Sequence, residues 1–295
     1  MHQPDKSILI ASVSLLFAAT LWGVFWYPLR WFDTQGVDGL WATLLIYIGT
    51  SVYIIPYLKR SLFEIKTSPR LMIVLAVFAG WTNIAFILAV IDGEVVRVLL
   101  LFYMSPIWAI LLAYFILKEH LSLYNFLALV IALFGMIIMF WQVDMDYPWP
   151  RSASDWLALS SGIAFAVTNV IMRKTQEISS RTKAIVGWCG VLIVSAVLIL
   201  LLQIPLKNVE STTFAIAFVI GASMVVVMTL AVAYGVSQLP VQQSAVILLF
   251  EVVVGATSAY VLIGETMALR EWIGGGLILF AGVFVTFNVG EKGNG

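Results

Sequence analysis

Residues 95–119, VVRVLLLFYMSPIWAILLAYFILKE, and residues 241–265, VQQSAVILLFEVVVGATSAYVLIGE, are two apolar helical stretches of equal length. Each closes on Ala-Tyr, four further residues and a Glu: Ala113-Tyr114 with Glu119, and Ala259-Tyr260 with Glu265. Three of the 21 positions aligned between 99–119 and 245–265 are identical, a weak echo that points to duplication without establishing it. Each stretch is the fourth of five hydrophobic spans in its half of the chain. A unit with an odd number of crossings lies in a bilayer upside down relative to its copy. Inverted repeats of that kind build sites that open alternately to either side.

Composition sets the environment. Hydrophobic residues make up 62% of the 295 and charged residues 11%, with a mean hydropathy of +1.02. A soluble domain carries roughly 25% charged residues, so this chain lacks the polar surface that water requires. Its eleven tryptophans fit the interfaces of a bilayer. The chain is expected to be an all-α polytopic membrane protein with the lipid bilayer as its solvent. Zero net charge and the absence of basic runs argue against nucleic-acid binding. Cys189 is the sole cysteine, which rules out an intrachain disulfide and a thiol-rich metal site. His2 and His120 have no zinc-binding spacing, and no Gly-x-Ser-x-Gly elbow or nucleotide-binding domain is present. The expectation is no metal, no cofactor and no enzymatic chemistry.

About 20 apolar residues are needed for a helix to span the hydrocarbon. Ten segments qualify: 8–29, 39–58, 71–91, 95–117, 121–141, 156–173, 184–203, 213–237, 242–263 and 271–289. The first is about twice the length of a signal-peptide core and reads as a retained span. The polar stretch 142–155, with Asp144, Asp146, Pro148, Pro150 and Arg151, is the join between halves. The expected organisation is ten transmembrane helices as two inverted five-helix repeats, 1–141 and 156–295, joined by an extracytoplasmic linker at 142–155. With a cytoplasmic N-terminus the inside receives Lys6, Lys59, Arg60, Lys66, Arg70, Lys118, Arg173, Lys174, Arg181, Lys183 and Lys292. The outside receives only Arg30, Arg97, Arg151, Lys207 and Arg270. That bias favours both termini in the cytoplasm. The loop after the eighth span carries no charge, which leaves a nine-span or eleven-span variant open.

Ionisable groups at membrane depth cost about 2.5–3.5 kcal/mol on insertion scales, so the few present are the leading functional candidates. Glu251 lies about nine residues into the ninth span, near the bilayer centre at 1.5 Å per residue. It is a candidate for carrying a proton or pairing with a substrate ammonium, with hydrogen bonding to a neighbouring helix as the packing alternative. Arg97, at the start of the fourth span, is placed to hold a substrate carboxylate, to snorkel, or to pair with Glu94. Tyr103 offers a stacking face and a hydroxyl. Pro106 releases a backbone carbonyl and predicts a kink. The alignment sets Ser105 opposite Glu251, so both fourth-position spans carry a polar group at that depth.

Asn83 and Asn169 are amides inside the third and sixth spans, fit for a ligand or for helix–helix bonding. Phe86 adds aromatic lining near Asn83. Trp22 and Trp26 share a helix face; an interfacial belt explains Trp26, whereas Trp22 lies deeper. Gly274-Gly275-Gly276 and Gly282 read as sites of close helix contact.

These features resemble the EamA-type carriers of the drug/metabolite transporter superfamily. The likeness rests on the five-plus-five layout, on Ala-Thr-Leu-Trp22-Gly23, and on the spacing from Pro106 to Lys118-Glu119. Glu265 and Phe280-Ala281-Gly282-Val283 fit the second half. The stretch Arg97-x-x-x-Leu101-Phe102-Tyr103-x-x-Pro106-x-Trp108 is similar to the branch of bacterial aromatic amino-acid exporters. The resemblance implies a bacterial inner-membrane protein with a central cavity between inverted bundles. By that analogy the cavity is lined by Tyr103, by the third span near Thr82 and Phe86, and by polar groups of the sixth and ninth spans. It implies export of a small-molecule substrate, amino acids first, with other metabolites or drugs as the alternative. A non-transporting membrane scaffold is the rival from another class. The fifth helix of each half is expected to serve as a packing face or as a homodimer face.

Overall fold

A computed structural model describes residues 6–93, 95–120, 122–141, 150–206, 209–264 and 266–287. Glu94, Glu265, Lys207, Lys292 and the linker residues Asp144, Asp146 and Pro148 lie outside the described residues, as does the side chain of Asp92. The described secondary structure is helical. In chain order the helices are α1 (Lys6–Val24), α2 (Trp26–Thr34), α3 (Gly39–Gly49), α4 (Ser51–Ile65), α5 (Pro69–Asp92), α6 (Val95–Phe102) and α7 (Ser105–Leu112). They continue with α8 (Leu123–Phe140), α9 (Ala153–Lys174), α10 (Ser180–Leu201), α11 (Ser211–Ile220), α12 (Val226–Gln238), α13 (Val241–Leu248), α14 (Phe250–Ile263) and α15 (Leu269–Phe287). Wider π turns at Ala113–Leu117 and Gly221–Val225 extend α7 and join α11 to α12.

Among the described residues, eight helices are long and apolar enough to cross a membrane. The number is nine if α3 and α4, bent by 61° at Thr50, form one span. The tenth expected segment is also helical, as α15, and does not figure among those nine. Large apolar side chains face outward along the bundle, among them Phe63, Leu200 and Val261 at 70% exposure or more. A water-soluble protein would not present such a surface. Polar cost is met at helix starts instead: Ser122, Ser152 and Ser179 cap α8, α9 and α10 with their hydroxyls.

The main helix pairings come in matching sets. α5 packs on α9 and α1 on α12; α6 and α7 lie against α9, while α13 and α14 lie against α1. α8 and α15, the fifth elements of the two halves, pack on each other. Small residues bring these backbones together, since helices in lipid gain by close approach rather than by expelling water. Gly135 and Gly274 meet at the α8–α15 crossing, and Gly49 and Gly221 where α3 meets the second π turn. Among the described residues a Cβ on Gly276 or Gly282 would meet nothing within 4 Å, so of the glycines expected to mediate contact at the start of the last span, Gly274 carries the tight one.

Candidate functional site

Two of the expected spans are interrupted at matching points. The fourth breaks at Tyr103 and Met104, between α6 and α7, one turn ahead of Pro106. The ninth breaks at Leu249, between α13 and α14. In the 99–119/245–265 alignment Tyr103 pairs with Leu249. The correspondence continues to the far ends: Lys118 and Gly264, also aligned, both adopt the left-handed conformation, with φ 61° and 69°.

The breaks bring two expected site residues together. Tyr103 donates its hydroxyl to Glu251 Oε1 at 3.2 Å. Glu251 sits in the first turn of α14, immediately after the ninth-span break. The Tyr103 ring lies parallel to Phe140 (6.4 Å between centroids, 12°) and edge-on to Phe102 at 5.2 Å. Phe102 continues the row to Phe86 at 4.9 Å and Phe165 at 5.8 Å. An aromatic wall drawn from α5, α6, α8 and α9 therefore backs the Glu251 carboxyl. On the other side Gly23 lets α1 approach closely: a Cβ there would stand 2.8 Å from the Glu251 carbonyl oxygen. Trp22, next to it, packs edge-on against Phe25 at 5.4 Å.

Other expected residues are engaged elsewhere. Thr82 donates to the Phe78 carbonyl of its own helix, and its own carbonyl accepts from Ser161. Asn83 accepts from the Tyr47 hydroxyl (3.2 Å) and donates to Ala79, which makes it a bridge between α3 and α5. Trp26 donates its indole N–H to Ser258 at 2.9 Å, which ties α2 to α14.

Arg97 forms a buried ion pair with Asp155, with Nη2 to Oδ2 at 2.7 Å and Nε to Oδ1 at 3.4 Å. The two residues are 9% and 3% exposed. Asp155 also completes the capping box of α9 with Ser152. Sequence reasoning set Asp155 in the linker and did not weigh it as a partner. Ser152-x-x-Asp155 ahead of an apolar run was the signal that could have found it.

A second ion pair joins the opposite ends of the same helices. Arg173 Nε lies 3.2 Å from Glu119 Oε1, while Glu119 Oε2 accepts from the Val241 backbone at 3.0 Å. Arg173 further donates to the Ser237 and Gln238 carbonyls that end α12. Lys183, fully buried, donates to the Met172 carbonyl at 2.6 Å and to Ser237 Oγ at 2.9 Å. Gln242 completes this end, donating to His120 and accepting from Asn125.

Two buried polar atoms have no hydrogen-bond partner among the described residues: Trp108 Nε1 on α7 and Asn169 Oδ1 on α9. Each such orphan costs roughly 1–3 kcal/mol. A shallow surface hollow lined by Leu9, Ile10, Val13, Ser14, Phe17 and Ala231 is apolar and includes none of the residues above. It is a lipid-facing groove of α1 and α12 rather than a polar site.

The profile of the EamA-like transporter family matches twice, over residues 9–141 and 152–287, and the chain belongs to that family. An "uncharacterized transporter" of Archaeoglobus fulgidus is 26% identical over 253 residues, which is 85% of this chain and 88% of that one. A solved protein crystal structure superposes with a TM-score of 0.75 at 17% identity, covering 97% of this chain and 99% of the other. That likeness is one of fold. The protein is a multi-pass membrane transporter.

Proposed function

We propose that the chain is a ten-span secondary carrier of two inverted five-helix repeats, 1–141 and 156–295, with 142–155 as an extracytoplasmic linker and both termini cytoplasmic. It works by alternating access in a bacterial inner membrane and exports small organic metabolites, with amino acids, aromatic ones included, as the class. Support for the repeat comes from the reciprocal pairing of α5–α9 with α1–α12 and from the aligned breaks at Tyr103 and Leu249. The two stretches matched by one family profile point the same way.

The observation that carries the reading is the Tyr103–Glu251 hydrogen bond, formed where two interrupted spans meet. Broken helices near the midplane are where carriers place substrate and coupling ions. Glu251 is the proton-coupling group. Tyr103, Phe86 and Trp22 are the apolar walls, and Asn169 is a hydrogen-bonding contact. Thr82 and Asn83 hold α5 in place beside that wall, and Arg97 serves α9 rather than a substrate carboxylate.

The test is flux of labelled phenylalanine, tryptophan and threonine in liposomes containing purified protein, wild type against Glu251→Gln. Flux in the wild type that the substitution abolishes, with folding intact, supports the reading. Absence of flux for all three overturns the amino-acid assignment.

A further inference from the structure

We infer that Trp108 and Asn169 hold the zwitterionic head of an amino-acid substrate, the indole N–H binding its carboxylate and the Asn169 carbonyl oxygen its ammonium. This inference rests on the carrier reading above and assigns its substrate contacts.

Four other indoles find partners: Trp26 at Ser258, Trp41 at the Ile204 carbonyl, Trp81 at Ser160 and Trp188 at Thr229. Trp108 Nε1 is buried and finds none, and neither does Asn169 Oδ1, in a residue that is 4% exposed. One orphan is a donor and the other an acceptor, on helices α7 and α9 that pack together. Trp108 packs against the cluster of Ala109, Ala113, Ala166, Val170 and Val241. Ala166 and Val170 flank Asn169 on α9, so both orphans belong to one small-residue region. Buried polar groups left unpaired in a folded protein call for a specific reason, and a ligand absent from the resting structure is one.

The charge environment then selects the ligand. Two ion pairs tie the α6–α7 span to α9, Arg97 with Asp155 and Glu119 with Arg173. An anionic head would be drawn to a guanidinium, and a lone cation to Glu251. A neutral donor and a neutral amide on two packed helices complement a group of zero net charge that presents both an acceptor and a donor. The ammonium and carboxylate of an amino acid fit that description, and the Asn169 NH₂ is a second donor for the carboxylate. Trp108 lies five residues beyond Tyr103, on α7 past the break in the fourth span. The head would therefore sit to one side of Glu251, leaving the carboxyl to the proton.

Saturation of flux in liposomes, measured for L-phenylalanine, its methyl ester and phenethylamine, tests this. The variants are Trp108→Phe, which removes the N–H and keeps a ring, and Asn169→Ala as an independent second. Melting in detergent verifies folding. The expected result is a wild type that prefers phenylalanine over both analogues. Each variant should raise its half-saturation about tenfold with little change in maximal rate, as loss of one hydrogen bond implies, and should lose the preference. A wild type that carries phenylalanine, with variants that keep its half-saturation and preference, overturns the inference, leaves the carrier reading intact and makes the orphans a water-bridged pair. Phenethylamine carried better than phenylalanine also overturns it. No flux for any of the three overturns the amino-acid reading and this inference together.

Discussion

Tyr103 and Glu251 are 148 residues apart in sequence, yet they share a 3.2 Å hydrogen bond at the interruptions of two separate spans. The tyrosine ring is held independently, by its stack on Phe140. Hydroxyl and ring can therefore be separated by substitution. Tyr103→Phe should keep the wall, lower coupled flux about tenfold through loss of one bond to an ionisable partner, and leave thermal stability close to wild type. Glu251→Gln should abolish flux driven by a pH gradient. Proton-driven uptake into liposomes measures both, and undiminished uptake by Glu251→Gln would remove the carboxyl from the cycle.

Arg97 and Asp155 are nearly inaccessible, so removing one partner strands the other. Arg97→Leu should destabilise the protein by about 3–5 kcal/mol. Adding Asp155→Leu should recover part of that loss. Recovery stays incomplete because Asp155 also caps α9, a contribution of about 1 kcal/mol. Thermal unfolding of the single and double variants in detergent reads the difference; a double variant no more stable than Arg97→Leu would show that the pairing energy lies elsewhere.

Two glycines provide a matched comparison. A methyl on Gly221 would collide with the Ile46 carbonyl of α3, which is backbone and cannot swing away, whereas one on Gly276 meets open space. Gly221→Ala should cost about 1–3 kcal/mol, as overpacking does. Gly276→Ala should be neutral or stabilising by a few tenths, since alanine is the better helix former. Melting temperatures that rank the two the other way would contradict the packing at α3.

Lys118 and Gly264 occupy the same left-handed turn, with and without a Cβ. Strain of about 1 kcal/mol attaches to the lysine. Lys118→Gly should stabilise by up to that amount, and Gly264→Ala should destabilise by a similar one. Both are read from unfolding in detergent, and equal melting points for Gly264→Ala and wild type would argue against the turn.

Much of the span pattern was legible in the sequence, because long apolar runs admit few alternatives to a membrane helix. The breaks were half legible. Pro106 predicted one, but Leu249 has no proline near it, and that interruption depends on packing that no local residue announces. Tyr103 and Glu251 were each visible as costly residues, yet nothing local said that they would touch. Arg97 was seen and its partner was not, since Asp155 looked like linker when it is the third residue of a helix. Trp108 was passed over because tryptophan is abundant here, and its lack of a partner exists only in three dimensions.

The ion pairs Arg97–Asp155 and Glu119–Arg173 fasten α6–α7 to α9 at both extremities, with the charge order reversed between the two. Sliding one helix past the other by a single 5.4 Å turn would break both clamps together. These helices consequently behave as a splint, and its register has to persist through any rearrangement of the molecule. The seam between α1 and α14 is of another kind: Gly23 lies close to Glu251 and Val254, and Ser258 donates its hydroxyl to the Gly23 carbonyl. That seam can shear without stranding a charge.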